Sequence, residues 1–121
     1  MTLEKALILT EEVGSFLIID YIRFTLESKE GQLPHIHFTK GNPKYPELDG
    51  CLYLLKNGYF KHGKHTGELP KNIYKEFLNW IRVDKNFLFL CKEWNEANNA
   101  NFISKEQIYD NYGNIKNPYK Q

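Results

Sequence analysis

The hydrophobic period of this chain changes once, between Gly67 and Pro70, and that change limits what it can fold into. Up to that point apolar residues mostly alternate with polar ones; beyond it they recur every third or fourth position. A period of two marks a strand with one buried face, and a period of 3.6 marks a helix with one buried stripe. Strands gathered in one half and helices in the other predict an α+β domain rather than alternating βαβ units.

Within the strand half, Leu3 to Thr10 reads as a strand and Glu12-Val13-Gly14 as a turn. Ser15 to Glu27 alternates strongly. Phe16, Ile18, Ile22, Phe24 and Leu26 share one face, interrupted by Asp20, which predicts one long half-buried strand bent near Asp20. Leu33 to Thr39 reads as a further strand, with Pro34 at its edge or start because proline donates no ladder hydrogen bond. Gly41-Asn42-Pro43 and Tyr45-Pro46 break the regularity. Asn57-Gly58 predicts a two-residue hairpin joining Cys51–Lys56 to Tyr59–His62, since both turn positions need positive φ.

In the helical half, Pro70 suits a first turn, and Ile73, Phe77 and Ile81 with Tyr74, Leu78 and Trp80 form an apolar stripe. Asp84 caps a second predicted helix carrying Phe87, Leu90, Cys91 and Trp94. Ser104 and Gln107 form a capping box, with Ile103 and Ile108 as its hydrophobic staple, for a short helix reaching about Asn111. The expected architecture is an antiparallel β-sheet of four to five strands with two helices packed on one face and a short C-terminal helix. Residues 1–112 form a single domain and 113–121 a flexible tail.

An apolar fraction of 41% over 121 residues supplies one real core and excludes whole-chain disorder. A net charge of +1 gives no general pull toward nucleic acid or a membrane. No membrane partner is expected, and net charge lends an RNA partner no support. Locally, residues 31–75 carry seven lysines against three acids. Cys51 and Cys91 sit in apolar surroundings and make no disulfide framework, which points to a reducing compartment. The first residues lack the apolar stretch of a signal peptide, so a cytoplasmic location is expected.

All four histidines lie between residues 35 and 65. His35 and His37 are two apart on a strand, so they leave the same face, about 7 Å apart, while Ile36 and Phe38 face the core. Such a pair suits zinc ligation, proton transfer near neutral pH, or recognition of a partner or anion. His62 and His65 follow the hairpin. The two-residue turn would pair Lys56 with Tyr59 and Tyr53 with His62, placing Cys51, Tyr53, Leu55, Phe60 and His62 on the core side. His62 would then face away from His35 and His37, and no acid is spaced to complete a metal shell. On that register no metal and no cofactor is expected.

Leu33-Pro34-His35-Ile36-His37, Gly67-Glu68-Leu69-Pro70 and the spaced Trp80 and Trp94 occur in the order found in the bacterial family called domain of unknown function 4160. Residues 33–98 resemble that family, with Ile36 in place of an aromatic. The resemblance implies a bacterial protein of a toxin–antitoxin-like, defence-related or regulatory gene pair, with His35 and His37 as its candidate functional residues. Two readings follow. One is a binding or regulatory module with a protein partner, using the His35/His37 face with His62, His65, Lys40, Lys44, Lys61 and Lys64. The other is a metal-independent ribonuclease-like toxin in which His35 and His37 act as base and acid and Lys61 or Lys64 steadies phosphate charge.

Overall fold

The computed structural model describes residues 15–27, 32–98 and 102–120. The predicted strand Leu3–Thr10 and the turn after it lie outside those residues. Four strands, β1 (Ser15–Ile19), β2 (Ile22–Thr25), β3 (His35–Gly41) and β4 (Pro46–Tyr53), form one antiparallel sheet in the order β1-β2-β3-β4. Helices α1 (Lys71–Ile81) and α2 (Asp84–Ala97) and the single turn α3 (Lys105–Ile108) follow. This is the α+β architecture that the change of period predicts.

Two strand boundaries differ from the sequence reading. Ser15 to Glu27 is a hairpin rather than one bent strand: Ile19 pairs with Ile22, and Asp20 and Tyr21 take φ of 50° and 66° between them. That is the all-positive-φ geometry of a two-residue hairpin turn, built without glycine. The stretch read as irregular is the β3–β4 hairpin. Tyr45 N donates to Asn42 O at 3.1 Å, closing the turn, and Pro46–Gly50 pair with β3.

Cross-strand register sorts the two faces. The row Leu17–Phe24–Phe38–Gly50 belongs to the core face, with Ile19, Ile22, Ile36 and Leu52. The helices close over it with Ile73, Phe77, Trp80 and Ile81 from α1 and Phe87, Leu90, Cys91 and Trp94 from α2. Phe77 stacks on Phe24 at 5.2 Å. The opposite face carries the rows Arg23–Thr39–Asp49 and Thr25–His37–Cys51.

The capping box at Ser104 and Gln107 forms as predicted. Asp84, read as a cap, is instead the first residue of α2, behind an N-cap at Val83. The C-terminal residues are not a loose tail. Ile115 bridges to Tyr109, Asn117 Nδ2 donates to Ile81 O at 2.8 Å, and Arg82 Nε donates to Tyr119 O at 2.8 Å. Tyr119 is 1% exposed, packs edge-on to Phe77, and its hydroxyl donates to Tyr53 O. An apolar ring spaced two residues after a hydrogen-bonding Asn docks the chain end into the core. Among the described residues no helix is long and apolar enough to cross a membrane.

Candidate functional site

The site lies on the sheet face opposite the Leu17–Phe24–Phe38 row and starts at His37. That residue sits mid-strand in β3, so its neighbours on β2 and β4 flank it diagonally, within reach of long side chains. On one side is Glu27, two residues beyond Thr25; on the other is Asp49, two before Cys51. His37 spans the gap: Nδ1 lies 3.0 Å from Glu27 Oε2 and Nε2 2.6 Å from Asp49 Oδ1.

The fourth member comes from the segment after β4. Tyr59 pairs with Leu52 and Phe60 N donates to Cys51 O at 2.9 Å, extending the sheet edge. The edge contact resumes at Gly67, whose N donates to Asp49 O at 2.8 Å. Residues 61–66 therefore leave the edge between two neighbouring carbonyls and fold over the open face as a flap. A tight turn closes it: His65 N donates to His62 O at 2.9 Å, and Gly63 takes φ +58°. The flap sets His65 Nδ1 2.7 Å from Asp49 Oδ1 and 3.1 Å from His37 Nε2. Within the described residues, His37, Asp49 and His65 form the one set of three or more metal-type donors whose atoms converge.

This overturns the expected separation of the histidines. The hairpin pairs Leu52, not Lys56, with Tyr59, a slip of four positions, and Tyr53 N donates to Gly58 O at 3.0 Å, so residues 54–57 loop out. Cys51, Tyr53, Phe60 and His62 do share a face, as predicted, but it is the histidine face; Leu52 and Leu54 take the core side. All four imidazoles consequently form a row. Ring centroids are 5.4 Å apart for His35–His62, 5.3 Å for His62–His65 and 4.3 Å for His37–His65.

His35 occupies the inner end of that row. It is 3% exposed, against Phe60 at 4.6 Å and the edge of Trp94 at 5.5 Å, so it does not open to solvent as its strand parity suggested. Its Nδ1 lies 2.8 Å from Leu33 O. A carbonyl only accepts, so Nδ1 carries the proton. Burial pushes the His35 pKa below its ordinary value, and the neighbouring His62 and His37 add to that, against the opposing pull of the Leu33 carbonyl. A buried imidazole biased to the neutral form does not suit an exposed acid–base pair with His37.

The lysines divide. Lys61 and Lys64 ride on the flap, Lys61 donating to Thr66 O at 3.3 Å. Lys40 pairs with Leu48 on the core-facing set, and Lys44 lies in the β3–β4 turn over the Tyr45 ring. Glu27 and Asp49 are the participants that sequence reasoning missed. The dipeptide Asn42-Pro43 is a turn signal in its own right, but a regular ladder from that turn would set Asp49 opposite Phe38; the irregularity between Lys40 and Gly41 moves it opposite Thr39 and so diagonal to His37.

The donor set is chemically specific. Both nitrogens of His37 face carboxylate oxygens, yet a neutral imidazole carries one proton. Either a second proton on His37 or a metal ion at Nε2 resolves the conflict, and with the metal Nδ1–H is left to donate to Glu27. That carboxylate–histidine–metal chain is how ligating imidazoles are commonly oriented. Zinc bonds of about 2.0–2.2 Å in a tetrahedral shell hold ligand atoms roughly 3.3 Å apart. The three separations of 2.6, 2.7 and 3.1 Å are shorter than this by 0.7, 0.6 and 0.2 Å, so an entering ion must spread Asp49 Oδ1 from both imidazoles. Comparison with protein-family models, curated proteins and solved structures found no match.

Proposed function

We propose that this is a small metal-binding protein whose centre, His37 Nε2, Asp49 Oδ1 and His65 Nδ1, takes one divalent transition-metal ion, zinc first. The observation that carries the reading is the convergence of three donor atoms within 3.1 Å of one another, with Glu27 behind His37. Two imidazoles and a carboxylate form a borderline donor set suited to zinc, and to iron(II) or cobalt(II) at lower affinity. This reading departs from the metal-free binding module with a protein partner that the sequence suggested. The alternative metal-independent ribonuclease gains no support from the burial of His35.

Titration of chelator-stripped protein with zinc tests this. The expected isotherm has one site per chain, lost in His65→Ala and Asp49→Ala. Equal zinc uptake by wild type and both variants would place the ion elsewhere and end the proposal.

A further inference from the structure

We infer that the cleft between α2 and α3 binds an amphipathic carboxylate, an apolar chain with one anionic head, of which a medium-chain fatty acid is the simplest. This inference is independent of the metal reading above.

The cleft holds about 600 Å³, inside the range of roughly 300–1,000 Å³ that small-ligand sites occupy. At about 30 Å³ for each water-sized group, it has room for about twenty non-hydrogen atoms. One wall is a face of α2. Leu88, Lys92 and Asn95 recur there at helical spacing, beside the buried stripe of Phe87, Cys91 and Trp94. The floor is Ile103 and Ile108, which are 2% and 8% exposed. Phe102 and Tyr109 continue the apolar lining to the rim, where Phe102 is 66% exposed.

The second wall is fixed before any ligand arrives. The Asn95 side chain holds residue 103 on both sides: Ile103 N donates to Asn95 Oδ1 at 2.6 Å, and Asn95 Nδ2 donates to Ile103 O at 3.1 Å. The capping box then locks the next turn, with Ser104 N donating to Gln107 Oε1 at 2.9 Å and Gln107 N to Ser104 Oγ at 3.2 Å. Phe102 therefore rides on an anchored backbone. A site that needs no ordering on binding spends less of its contact energy on closure.

Charge selects the head group. Lys92 stands on one wall and Lys105 on the other. Among the described residues neither pairs with a carboxylate, whereas Lys61 pairs with Glu68 and Lys120 with Asp84. Glu96 is the one acid in the lining, so two cations face one carboxylate. Lysine stems lie along apolar surface while their ammonium groups reach water. That geometry suits a single anionic head at the rim and an uncharged chain below it.

Calorimetric titration of the full chain with hexanoate, octanoate and decanoate tests this, with 1-octanol as the neutral comparison. The expected result is one carboxylate per chain, bound about two- to fourfold more tightly for each added methylene, the upper figure being that of full burial. Phe102→Ala should weaken octanoate and octanol alike, by about fivefold, the size of one aromatic contact. Lys92→Gln with Lys105→Gln should weaken octanoate about fivefold, as for ion pairs open to water, and leave octanol unchanged. Both rim lysines are exposed, so these variants keep the fold. Decanoate uptake that does not saturate at one per chain would overturn the inference. An equal effect of the lysine substitutions on octanoate and octanol would overturn the assigned head group. A concentration-dependent dimer in sedimentation that Phe102→Ala dissolves would give the cleft to a second copy of the chain and overturn it as well.

Discussion

The amide of Gly67 donates to the carbonyl of Asp49 at 2.8 Å, and this bond returns the flap to the sheet edge two residues after His65. The approach is close enough that neither strand tolerates a side chain there. A Cβ on Gly50 would meet Gly67 O at 2.4 Å and Phe38 Cζ at 2.5 Å; one on Gly67 would meet Asp49 O at 2.8 Å. The position of His65 over Asp49 thus depends on two glycines outside the metal-donor set.

Gly50→Ala is accordingly expected to destabilise the fold by about 3 kcal/mol, at the upper end of overpacking effects, because Phe38 and the Gly67 backbone must both give way. Urea unfolding measures it. A loss under about 0.5 kcal/mol would show that the flap is not packed against β4 as described.

Glu27 touches His37 but none of the converging donor atoms. Glu27→Gln should keep one zinc per chain while weakening it about 10- to 100-fold, the usual cost of losing the carboxylate behind a ligating histidine. Competition against a chromophoric chelator reads this directly. Unchanged affinity would mean that Glu27 plays no part in orienting His37.

His35 makes stability depend on pH on the acid side. Its pKa is lowered in the fold by burial, so between the folded and unfolded values the unfolded chain binds more protons. The stabilisation is complete above the unfolded value of about 6.5 and is lost as pH falls through the lower, folded one. In metal-free protein, His35→Phe should flatten the slope of stability against pH in that window. A slope identical to that of wild type would assign the acid sensitivity to other groups.

Burial pushes the Cys91 thiol up to about 12, and Cys51 is buried beside the histidine face. At pH 8 the thiolate fraction of Cys91 is then about one in ten thousand, since reactivity follows the thiolate. Native protein should show two slow thiols toward a disulfide reagent, both becoming fast in denaturant. A fast thiol in native protein would contradict the burial of Cys51 or Cys91.

The coarse fold was legible because the period of two and the helical stripes each report directly on burial. Ile73, Phe77, Ile81, Phe87, Leu90 and Trp94 all face the core as their spacing predicts. Tight turns were less legible. Asn57-Gly58 carries the strongest hairpin signature in the chain, yet it lies in a wider loop. Asp20-Tyr21, with no glycine, makes the two-residue turn. Backbone pairing between flanking strands overrode local turn preference in both places. The site suffered most, because strand parity fixes the face of a residue only when register is known. His35 and His37 were correctly placed on one face. His65 and Asp49 joined them through the β3–β4 turn at Asn42 and through the flap, neither of which has a periodic signature. Tyr119 lay in a stretch that was too polar for its anchoring to be read from hydropathy.

The central claim is a position in space, so anomalous diffraction from crystals grown with one equivalent of zinc tests it most directly. The account predicts a single strong zinc peak about 2.0–2.2 Å from His37 Nε2, Asp49 Oδ1 and His65 Nδ1, with Glu27 still bonded to His37 Nδ1. Crystals in which those three atoms only hydrogen-bond to one another, with zinc absent or bound elsewhere on the chain, would contradict it.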